Sequence, residues 1–267
     1  KGLLADAIAL LRRGDGWLMI EVGADTLEAA AARAQRLIDV EMKAGYARDA
    51  RLYTGPEQKR VWAVREVGAG SGNGVPGALE EPYAGWEDAA VDPLRIGDYL
   101  REFRQLLDKY GYRSSLYGHF GDRCIHRRIT FDLRTRRGLD AMRRFMQEAT
   151  DLVVEYGGSI SGEHGDGQAR AEFLPRMYGP ELMQAFREFK AIWDPLNRMN
   201  PGKVVDAYKV DENLKIDPTY RPIEARTRFS FAADLGSFAR ATERCVGVAK
   251  CRNPHGGVMC PSFRVTQ

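Results

Sequence analysis

The chain has 267 residues, 44% of them hydrophobic and 29% charged, and Lys+Arg exceeds Asp+Glu by 40 − 37 = 3. That composition supports a globular protein with a sizeable core in one or two domains, and the near balance of charge argues against nucleic acid as a partner. No apolar run approaches the roughly 20 residues of a membrane span. No signal peptide opens the chain, and four cysteines, three of them after residue 244, do not resemble a secreted disulfide framework, so a reducing cytoplasm is the expected setting. The chain starts at Lys1 and trails off in PSFRVTQ, which reads as a piece of something longer.

In chain order, WLMIEVG (Trp17–Gly23) is a short apolar, β-favouring run that predicts a strand. DTLEAAAARAQRLIDVEMKAG follows. Asp25 stands three residues before Glu28 as a start signal, Leu27, Ala30, Ala31, Ala34, Leu37, Ile38 and Met42 recur at helical spacing, and Gly45 closes the helix. ARLYT predicts a second strand, and PEQKRVWAVRE a second helix opened by a proline. GAGSGNGVPGALEEPYAG is then a long loop of a kind that is functional or disordered when it lies inside a domain.

Tyr99–Tyr110 predicts a helix, and RSSLYGHFGDRCIHRRITFDL two strands around a glycine turn. Basic runs such as RCIHRR read as solvated faces. Leu139, Met142, Phe145, Met146, Ala149, Leu152, Val153 and Tyr156 mark an amphipathic helix stopped by Gly157-Gly158. Leu182, Phe186, Phe189 and Trp193 mark another, ended at Asp194-Pro195, and these aromatic stripes read as core. The expected class is α+β, a mostly antiparallel sheet with helices packed on one face. After Tyr208 the composition turns irregular and polar, so the main domain is expected over 1–208, with 209–267 a linker leading to the cysteines.

Two motifs carry chemistry. In YGHFGDRCIH, His119 and His126 are seven residues apart. On one straight strand they would lie about 23 Å apart on opposite faces, so they can share a ligand only if the chain reverses at Gly121-Asp122. In SISGEHGDGQAR, Glu163 can complete a two-histidine, one-carboxylate set suited to Zn²⁺ or Mn²⁺ with positions left open. The alternative is a hairpin whose two histidines bind nothing.

YGHFGDRCIH, SGEHGDGQAR and WDPLNRMNPGKV, in that order, resemble the C-terminal half of FAD-linked 2-hydroxyacid dehydrogenases, over roughly residues 15–206. D-lactate dehydrogenase, the flavin subunit of glycolate oxidase and D-2-hydroxyglutarate dehydrogenase are members. The resemblance implies a ferredoxin-like substrate or cap domain, with the FAD held mainly by an N-terminal domain outside this chain. It implies that His119, His126 and Glu163 are the metal ligands and that His164 is the base taking the hydroxyl proton. It implies further that Arg65 holds the substrate carboxylate and that Asn200 and Lys203 approach the flavin. For Arg65 a surface salt bridge with Glu66 or a neighbour is the competing reading. A guanidinium matches a carboxylate with two parallel hydrogen bonds, and a neutral histidine suits proton removal near pH 7.

This sequence departs from that pattern in places. The family's GDGN reads Gly121-Asp122-Arg123-Cys124, and Cys124 is expected to pack rather than react, because no activating partner is evident. Arg128, two residues beyond His126, shares its strand face and is either a second anchor for a dicarboxylate or a solvent-facing charge. Trp86 stands about where some relatives place a substrate-binding lysine. Cys245, Cys251 and Cys260, the last before Pro261, resemble an incomplete ferredoxin segment, with Val248 at the second cysteine position. They point to a [4Fe–4S] site in the full-length protein, against a zinc knuckle with His255 or unliganded thiols.

The expected whole is a fused FAD and iron–sulfur dehydrogenase oxidising a D-2-hydroxy acid of the D-2-hydroxyglutarate or D-lactate type, with electrons passing to an acceptor such as a quinone. It is expected in the cytoplasm or peripherally at the inner face of the membrane, with a homo-oligomer left open, and the chain alone is expected to be inactive. The alternatives are a metal-binding interaction domain without redox role and a metal-dependent hydrolase.

Overall fold

The computed structural model describes residues 5–12, 14–71, 82–228 and 230–243. The chain divides into two compact units, Lys1–Ser71 and Gly72–Gln267.

The first unit holds α1 (Ala5–Ile8), α2 (Leu27–Ala44) and α3 (Pro56–Ser71). The start of α2 is capped by Thr26, whose hydroxyl accepts from the Ala29 amide at 3.2 Å, rather than by the predicted Asp25. Gly45 closes it at φ +74°, a left-handed position that suits glycine. The predicted strands WLMIEVG and ARLYT are irregular segments. Trp17, Leu18 and Ile20 are exposed, and β-propensity expresses itself only where a partner strand and a half-buried face exist. Local polar contacts hold these segments instead: Arg12 pairs with Asp49 at 2.6 Å, and the Tyr53 hydroxyl donates to the Leu10 carbonyl.

The second unit is built on β1 (Tyr83–Ala90), β2 (Ser114–His119) and β3 (Cys124–Ile129), an antiparallel sheet in the order β1-β3-β2. With α4 (Ile96–Tyr110), α5 (Arg136–Glu155), α6 (Leu174–Trp193) and α7 (Phe238–Glu243), this is the expected α+β class. Phe103 and Leu107 of α4 and Phe145, Met146, Ala149 and Val153 of α5 join Trp86, Ala89 and Ile129 of the sheet in one core. Phe103 lies 6.1 Å from Trp86 and 5.8 Å from Phe145, ring to ring, so aromatic packing ties both helices to one face. α6 is two helices joined at Gly179 (φ +74°) and Pro180.

Residues alternate along β3: Ile125, Arg127 and Ile129 are buried, whereas His126 and Arg128 are only partly so. The solvated reading of RCIHRR therefore fails at Arg127, whose guanidinium lies 4.7 Å over the Phe103 ring with its pKa pushed down to about 10 by burial. The stretch after Tyr208, expected as a linker, is packed: Val210, Leu214, Ile216 and Tyr220 lie on the core, and Arg143 pairs with Asp211 at 2.6 Å. Among the described residues no helix is long and apolar enough to cross a membrane. Cys245, Cys251, Cys260 and most of the glycine-rich loop lie outside the described residues.

After α5 the chain runs back along the free edge of β1, where Ala90 and Ser159 exchange backbone hydrogen bonds of 2.9 and 2.8 Å. Gly158 makes this approach possible, because a Cβ there would strike the Ala90 carbonyl and lie 2.7 Å from Val91 Cγ1. Gly158→Ala is expected to destabilise the protein by about 1–3 kcal/mol, the usual cost of overpacking, read as a lower midpoint in chemical denaturation.

Candidate functional site

β2 and β3 form the hairpin that the two histidines required. His119, paired with Cys124 at the end of β2, and His126, opposite Tyr117, bring their rings to 5.3 Å. A single 3-10 turn, Phe120–Asp122, makes the reversal. The left-handed position falls on Arg123 (φ +73°), where the related pattern has glycine.

Each ring is fixed from behind. His126 Nδ1 donates to the Glu87 carbonyl, which leaves Nε2 with a lone pair toward the site. His119 Nδ1 faces Asp122 Oδ2 at 3.1 Å, while its Nε2 lies 2.7 Å from Glu163 Oε1. His126 Nε2 and His164 Nε2 each lie 3.6 Å from the same Glu163 oxygen. The His126 and His164 rings stack with centroids 5.0 Å apart and planes 10° apart. Three imidazoles thus surround one carboxylate.

The loop carrying Glu163 and His164 owes its shape to β1 and to glycine. The Gly162 amide donates to the Asp88 carbonyl at 2.7 Å, and a Cβ on Gly162 would meet Cys124 Sγ at 2.6 Å. Gly165 (φ +84°) then turns the chain away. Beneath the loop lies Asp88, a fully buried carboxylate. Its Oδ2 accepts from the Ser161 hydroxyl, from the Glu163 amide at 3.0 Å and from the His164 amide at 2.7 Å. Burial works against its charge, but the Ser161 hydroxyl and the two amides outweigh it and hold the carboxyl below the usual carboxylate range.

Among the described residues two groups of possible ligand atoms converge: Asp88, His126 and His164, and His119, Cys124 and Glu163. Asp88 Oδ2 accepts three hydrogen bonds, whereas Oδ1 has only a 3.3 Å contact from the Glu163 amide. Cys124 is buried, and burial, then the charges of Asp88, Glu163 and Asp122, push its thiol pKa up. The expected set His119, His126 and Glu163 falls across these two groups rather than within one, with the two histidine Nε2 atoms 2.7 and 3.6 Å from Glu163 Oε1.

Other predicted residues are placed as follows. Arg128 borders a cleft of about 640 Å³ floored by Phe131, Met142 and Met146, and among the described residues it has no ion-pair partner. Lys203 Nζ donates to Gln168 Oε1 at 2.8 Å, and the Val204 amide to the Gly167 carbonyl, so the NPGK segment returns to the GEHGDG loop. Asn200 takes φ +50° within it. Arg65 lies on α3, in the first unit, 5.6 Å over the Trp62 ring. Asp88, Ser161 and the Glu87 carbonyl were missed by sequence reasoning, and the one available signal was a lone aspartate inside an otherwise strand-like run.

Residues 3–204 match the family described as FAD linked oxidases, C-terminal domain. The chain belongs to that family. D-2-hydroxyglutarate dehydrogenase of Escherichia coli (strain K12) is 33% identical over 219 residues, 78% of this chain and 20% of the relative. The protein of the same name from Haemophilus influenzae is 30% identical over 79% of this chain and 20% of its own length. D-lactate dehydrogenase of Archaeoglobus fulgidus is 35% identical over 44% of this chain and 26% of its own length. The chain thus spans about a fifth of the length of the D-2-hydroxyglutarate dehydrogenases it matches. In this FAD linked oxidase domain the raised thiol pKa and burial of Cys124 leave little thiolate at neutral pH. Alkylation at pH 8 is expected to label Cys124 at least about tenfold more slowly than a free thiol, read by peptide mass mapping.

Proposed function

We propose that this chain is the substrate-side part of an FAD-dependent dehydrogenase that oxidises a D-2-hydroxy acid to the 2-oxo acid. The observation that carries this reading is the convergence of His119, His126 and His164 on Glu163, beside a loop tied to the NPGK segment. His119, His126 and Glu163 would hold Zn²⁺ or Mn²⁺, their rings already oriented through Nδ1. When bound, the ion would supply polarisation of the substrate hydroxyl, and FAD would supply the hydride acceptor.

The chain's own residues do the rest. His164, half-exposed at the site, takes the hydroxyl proton at Nε2, while the Asp88 carboxylate 3.9 Å from Nδ1 places a negative charge behind the ring. For Arg65, on the first unit, the α-carboxylate role rests on the family resemblance alone. Arg128 is assigned a distal carboxylate, supported by its place on the cleft, its lack of an ion-pair partner among the described residues and the names of the relatives that match most of the chain. Onward transfer through an iron–sulfur site at Cys245, Cys251 and Cys260 to an acceptor such as a quinone rests on cysteine spacing alone.

Joined to a flavin-binding half, the protein is expected to bleach its FAD on addition of D-2-hydroxyglutarate, whereas the 267-residue chain alone turns over no hydroxy acid. A flavin-coloured, turnover-competent preparation of the chain alone would refute the second point, and cleavage of an ester or phosphate with no bleaching would refute the first. His119→Ala and Glu163→Ala are expected to release the bound divalent ion, measured by elemental analysis. Arg128→Ala is expected to raise KM for D-2-hydroxyglutarate about 10–100-fold, the worth of one charged hydrogen-bonded contact, while D-lactate kinetics change little.

A further inference from the structure

We infer that Asp88 is the positioning residue of this centre: its carboxylate sets the backbone of Glu163 and His164 so that two neighbouring side chains meet at one point. The inference deepens the reading of Glu163 and His164 given under the proposed function. On a regular strand, adjacent side chains point to opposite faces. Here the amides of both residues aim at one oxygen, Asp88 Oδ2, at 3.0 and 2.7 Å. Successive N–H groups converging on an anion form a concave nest, which fixes the backbone of both residues and so the point from which each side chain leaves. Glu163 Oε1 and His164 Nε2 consequently lie 3.6 Å apart.

Asp88 reaches the loop because β1 is irregular. The pairing register between β1 and β3 shifts between Trp86 and Ala89. Both residues belong to the core, although three positions apart, a spacing that a strand of period two does not allow. The irregularity turns Asp88 toward the histidines and frees the Glu87 carbonyl to accept from His126 Nδ1. The anchor is itself braced. Ser161 donates its hydroxyl to Asp88, and the buried Arg170 reaches the Gly165 carbonyl at 3.0 Å and Ser161 Oγ at 3.5 Å.

Asp88→Asn in the full-length protein tests this with little change of volume. An amide offers one acceptor oxygen in place of two, and its NH₂ would confront the Glu163 amide, which lies 3.3 Å from Oδ1. Hydrogen exchange at the Glu163 and His164 amides is expected to become at least about tenfold faster, with Ile125 and Arg127 of β3 unchanged, and affinity for Zn²⁺ or Mn²⁺ to fall about 10–100-fold, as when supporting partners of metal ligands are lost. Unchanged exchange at Glu163 and His164 would overturn the inference, and so would acceleration spread equally to β3, which would mark Asp88 as a general packing residue. A protein that binds no divalent ion removes the metal assignment, while the amide measurement still decides the role of Asp88.

Discussion

A carboxylate with no exposure to water stays charged only if the protein replaces its hydration, and Asp88 obtains that replacement from a hydroxyl and two backbone amides of a single loop. The requirement acts in both directions. The loop satisfies the charge, and the charge fixes the loop, so the GEHG segment and β1 cannot shift independently without leaving a buried anion unpaired. The histidine cluster depends on that lock, because Glu163 and His164 sit on the amides concerned.

Glycine serves close approach here more than flexibility. Gly158 and Gly162 stand where a methyl group would collide with Ala90 or Cys124, and Gly165 takes a backbone conformation that disfavours other residues. The loop can therefore lie along the edge of β1 like an additional strand and then leave it sharply. On the other side of β1, the helical layer gives the sheet a rigid backing through Phe103, Phe145 and Trp86. Rings held through Nδ1 on strands packed in this way have little freedom to drift, the arrangement expected where geometry decides chemistry.

Much of this was legible in the chain. The helices Ile96–Tyr110 and Arg136–Glu155, the hairpin between His119 and His126 and the α+β class follow from periodicity and turn residues, because those elements bury one face and their sequences record it, whereas Leu182, Phe189 and Trp193 of α6, read as core, are exposed. WLMIEVG and ARLYT have the composition of strands without partners, and composition does not report partners. Arg127 reads as one more surface charge until β3 is seen at the centre of the sheet, where its side chain has only the helical layer to enter.

The sequence by itself determined which chemical groups are present and roughly where the chain turns: two histidines flanking a reversal, a glutamate and a histidine side by side among glycines, and an arginine on the face of His126. Only the tertiary structure decided that the three histidines share one Glu163 oxygen as their meeting point, and that Asp88 lies beneath them. The physical reason is the register shift in β1. A pleat of period two is written in sequence as alternation, but an irregularity between Trp86 and Ala89 leaves no such mark, and it turns one aspartate from the helical core to the site.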